Sequence, residues 1–127
     1  MAQTGSTSRE PKALLFDVFG TVVDWRTSVI NELRSYGQGR GISANWEAFA
    51  DDWRGLYQPS MEAVRNNSRS FVPLDDLHRE SLRTLISKYD LPRPNEREED
   101  HLVTIWHRLK PWSDVIEGMY RLKRHYI

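Results

Sequence analysis

A carboxylate followed by glycine and threonine stands near the start of the chain, at Asp17, Gly20 and Thr21. The apolar run 12–18 that carries Asp17 predicts a strand buried on both faces, and ligands of open α/β sheets bind at the carboxyl ends of such strands. Gly20 lets the backbone turn sharply, and the Thr21 hydroxyl can reach back to the carboxylate. Asp17 is therefore the candidate reactive group, and the alternative is a buried strand capped by an Asx turn.

The nine residues 16–24, FDVFGTVVD, resemble the first motif of the haloacid dehalogenase superfamily, in which the aspartate is a covalent nucleophile. Phosphatases of that superfamily carry a second aspartate two residues later, which protonates the departing alkoxide. Phe19 stands at that position here, and a halide leaving group needs no proton. The longer run 17–26 resembles the type II 2-haloacid dehalogenases.

This resemblance implies that Asp17 attacks C2 of a small 2-haloalkanoate, expels halide and forms an ester that water hydrolyses to a 2-hydroxyacid. The backbone N–H groups of Val18 and Phe19 would stabilise the oxyanion, and Thr21 would orient the carboxylate. The same resemblance implies neither a metal ion nor another cofactor.

The family also places a cation in the helices that cover the site, where it receives the halide. The segment 42–46, ISANW, resembles the family pattern, but Glu47 follows where an arginine is expected. Arg54 lies two helical turns later within WRGLY, which resembles a segment of another dehalogenase subgroup. We expect Arg54 to bind the halide between walls formed by Trp53 and Tyr57; the alternative is a surface arginine with a buried stem.

The remaining candidate residues show weaker signs of a functional role. Trp25 and Arg26 are predicted to pack at a hinge rather than to border the site entrance. The four histidines lack metal-ligand spacing with nearby carboxylates, which favours solvated or structural roles; they are His78, His101, His107 and His125.

The composition of the 127 residues limits the possible functions. Eighteen basic and eighteen acidic residues give a net charge of +0, which gives no electrostatic case for nucleic acid or a membrane surface. No cysteine is present, and no apolar run approaches the roughly 20 residues of a membrane span, so a cytoplasmic protein is expected. The full-length form is expected to be a homodimer.

Helical periodicity follows the first strand through the rest of the chain. Glycines at 37–41 should end the first helix, and Ser43 is the candidate N-cap of the second. Pro59 should kink that second helix. The predicted helices cover 25–36, 43–64, 74–89, 96–109 and about 115–122.

These elements predict an α/β fold, mostly helical as it stands, in which a Rossmann-like parallel-sheet core is represented only by its first strand. Residues 1–11 are a predicted disordered tail, 12–24 the strand and nucleophile loop, 25–110 a helical cap, and 111–127 the return into the core. A lone strand leaves its backbone groups without partners. We therefore expect an N-terminal fragment, truncated before the second strand, that is inactive alone.

Two alternatives to the dehalogenase remain. One is a phosphatase of the same superfamily, and the other is a non-catalytic helical remnant that binds a partner. The downstream reading frame would separate them, because the family continues with a serine- or threonine-containing strand end and a later lysine.

Overall fold

The computed structural model describes residues 10–126, which form six α-helices and a 3₁₀ turn. The expectations for residues 1–9 of the tail and for Ile127 lie outside the described residues. No helix in the described part is long and apolar enough to cross a membrane. The helices are α1 (Trp25–Arg40), α2 (Trp46–Gly55), α3 (Tyr57–Arg65), α4 (Leu74–Lys88), α5 (Glu96–Val103) and α6 (Val115–Leu122), with the 3₁₀ turn at Thr104–His107. The prediction of a mostly helical chain is confirmed.

The predicted strand at 12–18 does not form in the described residues, where it has no neighbouring strand, and most of its apolar side chains are exposed. Leu15 is 97% exposed, Phe16 46% and Val18 48%. Only isolated bridges occur here, joining Val23 to Phe19 and to Pro111. The physical reason is pairing: a strand is stabilised by ladder hydrogen bonds to a neighbour, and residues 10–126 offer no second strand.

Helix α1 passes through two of the glycines that were predicted to end it. The helix ends at Arg40, and Gly41 adopts the left-handed conformation (φ 64°) of a C-terminal cap. Gly37 is buried inside the helix, where a Cβ would lie 2.7 Å from the Trp46 ring and 2.8 Å from the Ile42 carbonyl oxygen. Gly37 therefore permits the close approach of α1 to the start of α2.

The second predicted helix is two helices, and two details of its prediction were wrong. Asn45, not Ser43, is the N-cap, because its side-chain oxygen accepts from the Ala48 N–H at 3.0 Å. The break falls at Leu56 rather than at Pro59. Pro59 lies in the first turn of α3, where a backbone N–H has no intrahelical acceptor, so its ring is tolerated.

The remaining helices begin close to their predicted positions. Asn95 and Glu98 form a capping box at the start of α5, in which each side chain accepts from the other residue's backbone N–H. The predicted continuation to residue 109 instead changes to the 3₁₀ turn after Val103. This tighter turn carries Ile105 and Trp106 into the core.

A single apolar cluster joins α1, α2, α4, α5 and the 3₁₀ turn. Its largest fully buried side chains include Phe49, Trp53, Leu82 and Leu102. Phe19 and Trp25 are partly buried against the same cluster. The helical core therefore holds the loop after Asp17 although the segment before it is exposed.

Candidate active site

The loop after Asp17 is a tight turn closed by side-chain and backbone hydrogen bonds. The Thr21 hydroxyl donates to Asp17 Oδ2 at 2.7 Å. The N–H groups of Val22 and Val23 both donate to the Val18 carbonyl, at 2.9 and 3.1 Å. Gly20 has φ 91°, a conformation that a residue with a Cβ rarely adopts. The turn therefore fixes one carboxylate oxygen of Asp17.

The turn is also attached to the segment that precedes α6. The Trp112 indole Nε1–H donates to the Gly20 carbonyl at 2.9 Å, and its backbone N–H donates to the Val22 carbonyl at 3.2 Å. The Asp24 N–H donates to the Lys110 carbonyl at 2.9 Å. Two distant parts of the chain, 20–24 and 110–112, thus hold the Asp17 loop together.

The two predicted oxyanion donors lie within this turn. The N–H groups of Val18 and Phe19 take part in none of the backbone hydrogen bonds found among residues 10–126. Asp17 itself is exposed. The Phe19 side chain, in contrast, turns into the helical core.

Four aromatic rings form a closed box next to the turn, and we call Phe19, Tyr57, His78 and Trp106 the aromatic box. The ring centroids are 5.9 Å apart for Phe19 and Tyr57, 6.0 Å for Tyr57 and His78, 4.9 Å for His78 and Trp106, and 5.8 Å for Trp106 and Phe19. Trp53 meets both His78 and Trp106 edge-on, at 6.4 and 5.3 Å. The residue two places after Asp17 is thereby joined to α3, α4 and the 3₁₀ turn.

The Arg54 guanidinium lies over the outer edge of the aromatic box. Its central carbon is 4.6 Å from the Tyr57 ring centroid, 5.3 Å from that of Phe19 and 5.9 Å from that of Trp25. These distances are within the range of cation–π attraction. Among residues 10–126, no carboxylate forms an ion pair with Arg54. The positive charge is held in place by aromatic faces and is not neutralised by a neighbouring acid.

Two neighbouring charged residues are already paired. Arg26 donates through Nε and Nη2 to the two oxygens of Asp51 at 2.7 and 2.9 Å. Glu47, at the position where the family resemblance led us to expect an arginine, pairs with Arg34. Of the two arginines considered near the site, only Arg54 therefore carries a charge that is free for a ligand.

His78 belongs to the site, although the sequence favoured only a solvated or structural role for it. The side chain is 3% exposed, and burial lowers the pKa of His78 to about 4, so the ring is neutral at pH 7. Trp53 Nε1–H donates to the His78 carbonyl at 3.2 Å and fixes the backbone. The missed signal was spacing: His78 lies four residues before Leu82, on the buried face of α4.

The residues predicted for the site therefore come together in part. Phe19, Arg54 and Tyr57 are in mutual contact, Trp53 lies behind them, and Thr21 binds Asp17, whereas the Val18 side chain faces outward. Trp25 packs on Trp106 at 6.3 Å and lies under Arg54. Residues 10–126 hold no group of three or more histidine, aspartate or glutamate side chains that is placed to bind a metal ion.

Comparison with solved structures gives high similarity to L-2-haloacid dehalogenases. A defluorinating L-2-haloacid dehalogenase matches with a TM-score of 0.89 and 42% identity, over 97% of this chain and 51% of that one. A second L-2-haloacid dehalogenase matches with a TM-score of 0.81 and 39% identity, over 91% and 48%. The Xanthobacter autotrophicus enzyme with covalently bound chloropropionic acid, at 21% identity and a TM-score of 0.67, over 88% and 42%, shares the fold.

No protein-family model and no curated protein matches the chain. The chain spans about half the length of the dehalogenases that it resembles. The similarity agrees with the motif at residues 16–24 and with the Asp17 turn. The chain therefore belongs to the type II 2-haloacid dehalogenases of the haloacid dehalogenase superfamily.

Proposed function

We propose that this chain supplies the nucleophile and the halide-binding cation of an enzyme that hydrolyses 2-haloalkanoic acids to 2-hydroxyacids. The observation that carries the proposal is the position of Arg54, whose guanidinium lies 5.3 Å from the Phe19 ring, two residues after Asp17. An unpaired cation beside a carboxylate nucleophile can attract the anionic substrate and receive the leaving halide. The covalent chloropropionate described for the Xanthobacter enzyme supports this substrate class.

Asp17 acts as the nucleophile. The hydrogen bond from Thr21 holds Oδ2, so the other oxygen can attack C2 while the carbon–halogen bond breaks and halide leaves with the electron pair. Water then adds to the carboxyl carbon of the resulting ester, and the bond from this carbon to the substrate oxygen breaks. The departing oxygen takes a proton from the water, so the 2-hydroxyacid leaves and the Asp17 carboxyl group is regenerated. The N–H groups of Val18 and Phe19 are the proposed donors to the oxyanion of this second step.

Phe19 also separates the proposal from the phosphatase alternative. A phosphatase needs an acid at this position to protonate its leaving group. The Phe19 side chain instead forms a wall of the aromatic box and lies under Arg54. An apolar wall beside a cation suits halide departure and cannot donate a proton.

The proposed domain organisation assigns 12–24 to the first strand and nucleophile loop of an α/β core, 25–110 to the cap, and 111–127 to the return into the core. Exposed apolar side chains support this assignment. Leu15 is 97% exposed, and on α6 Ile116 is 60% and Tyr120 69% exposed. A carboxylate nucleophile also reacts best in dry surroundings, and Asp17 is exposed. We infer that the active enzyme covers this side with further parallel strands.

A chimera tests the activity directly. Residues 10–126 replace the matching half of the 42% identical dehalogenase, and chloride release from 2-chloropropionate is measured. We expect turnover by the chimera, none by the 127-residue chain alone, and none after Asp17→Asn. The control is Asp76→Asn, which alters an exposed carboxylate on α4 and should leave turnover unchanged.

Isotope labelling tests the covalent step. After repeated turnover in ¹⁸O-water, mass spectrometry should find label in the Asp17 carboxylate, because water attacks the carboxyl carbon. Label in the product of the first turnover, with none on Asp17, would establish direct attack by water and reject the nucleophile assignment.

Arg54→Lys tests the cation. Lysine keeps the charge but loses the planar donor fork, so halide release should fall by about 10- to 1000-fold, on the scale of a lost oxyanion donor. Arg97→Lys, an exposed replacement of the same type on α5, is the control. An unchanged rate for Arg54→Lys would remove Arg54 from the site.

The homodimer and the cytoplasmic location stay predictions. Sedimentation of the chimera tests the homodimer.

A further inference from the structure

The aromatic box contains buried polar atoms that no group in the described protein satisfies. Both ring nitrogens of His78 and the indole Nε1 of Trp106 are buried without a hydrogen-bond partner. His78 is 3% exposed and Trp106 8%. Each such group left unpaired costs about 1–3 kcal/mol, so three in one place are unusual.

The two rings are held rigidly. His78 stacks on Trp106 with a centroid distance of 4.9 Å and an interplanar angle of 28°, and Trp53 Nε1–H fixes the His78 carbonyl. The indoles of Trp53 and Trp112, in contrast, donate to carbonyls at 3.2 and 2.9 Å. Among the described residues, three of the four buried side-chain atoms without a partner lie in the aromatic box, and the fourth is the hydroxyl oxygen of Tyr36.

The chemistry of these groups defines the ligand. Arginine and the indole N–H can only donate hydrogen bonds, and a neutral imidazole presents one donor and one acceptor. A carboxylate does approach His78 in sequence, since Asp75 lies one turn earlier, but it is bound to His107 at 2.8 Å. A ligand shared by Arg54 and Trp106 must accept hydrogen bonds, and the adjacent cation favours an anion.

The proposed function supplies such an anion, because Arg54 lies over the box and the halide leaves the substrate beside it. The geometry points to Trp106 and His78 as halide ligands that act beside Arg54. This inference rests on the proposed function and deepens it by naming the groups that receive the leaving halide.

Indole N–H signals test the inference without requiring turnover. The 127-residue chain, labelled with ¹⁵N, is titrated with sodium fluoride and with sodium chloride at constant ionic strength, and Trp106→Phe assigns its signal. We expect a saturable shift of the Trp106 Nε1–H signal. The Trp53 and Trp112 signals, whose protons are already donated, are internal controls.

Variants then separate binding from folding. His78→Phe keeps a ring in the stack and should weaken halide binding about tenfold, which corresponds to about 1.4 kcal/mol. His101→Phe makes the same replacement at an exposed position on α5 and should leave the affinity unchanged.

The inference is overturned if the Trp106 signal does not move, moves in parallel with that of Trp112, or responds equally in His78→Phe. It is also overturned if His78 gives the spectrum of a solvent-exposed histidine, because the box would then not exist. Saturable halide binding with no turnover by the chimera would reject the proposed function and leave this site standing. Turnover without halide binding at Trp106 would do the reverse.

Discussion

Lowering the pH tests the burial of His78, which underlies the whole aromatic box. Burial in the box lowers the pKa of His78 from its ordinary value of 6.5 to about 4. The positive charges of His107 and Arg54 act in the same direction, and Asp75 opposes them. Between pH 6.5 and 4 the unfolded side chain is therefore protonated while the folded one stays neutral.

The sign and size of the effect follow from proton linkage. Unfolding takes up a proton in this window, so the free energy of unfolding falls as the pH is lowered. The stabilisation from neutral His78 is fully present above pH 6.5 and is lost toward pH 4. The two pKa values give a loss of roughly 2 kcal/mol between pH 7 and pH 5. The unfolded carboxylates are still mostly ionised at pH 5, so the histidine dominates the comparison.

The assay is urea unfolding followed by circular dichroism at pH 7 and pH 5, on the wild type and His78→Phe. Phenylalanine fills the box without a base, so the wild type should lose roughly 2 kcal/mol more than the variant. His101→Phe should keep the wild-type dependence, since His101 is exposed. Equal losses in wild type and His78→Phe would show that His78 is not a buried neutral base, and the box as described would be refuted.

Three further predictions concern packing and exposure. Gly37→Ala should cost about 1–3 kcal/mol in urea unfolding because its Cβ would lie 2.7 Å from the Trp46 ring, whereas Gly39→Ala, with open space, should stabilise by about 0.5–1 kcal/mol; equal effects would refute the close contact. Glu99→Gln should lower the free energy of unfolding by about 1–3 kcal/mol, because Arg79 and Arg83 lose their shared, nearly buried carboxylate. The cost stays below that of a fully buried pair because Arg83 is largely exposed. An unchanged unfolding midpoint would show that the pair is not formed. Amide exchange at 14–16 in the isolated chain should be fast, because these residues lack a strand partner; slow exchange in a monomer would show that they are paired after all.

The helices could largely be predicted from periodicity because burial of an apolar face is a local property of the sequence. The α4 prediction, 74–89 against Leu74–Lys88, depended on such a stripe. The caps were harder: Ser43 and Asn45 are both good N-caps, and the choice depends on which one faces a free N–H, which is a tertiary outcome. The predicted kink at Pro59 was wrong for a related reason, since the effect of a proline depends on where the helix α3 begins.

The strand at 12–18 shows a different limit. Its apolar composition predicts a position inside a sheet correctly only when neighbouring strands are present, because a strand is stabilised by its partners. The turn after it needs no partner strand. Thr21 and Gly20 close the Asp17 loop locally, and that part of the site could be predicted from residues 16–24 alone.

The position of the cation differs from the position that the family resemblance predicts. Positions 47 and 54 both lie on α2, and at 1.5 Å per residue they are about 10 Å apart along the helix axis. The resemblance predicts an arginine at position 47, but Glu47 stands there and pairs with Arg34. A cation moved by this distance needs a new set of neighbours. The box provides them: aromatic faces beneath Arg54, and unsatisfied donors on His78 and Trp106 in the same box. The unpaired charge of Arg54 and the unsatisfied nitrogens of His78 and Trp106 thus belong to one arrangement around the aromatic box.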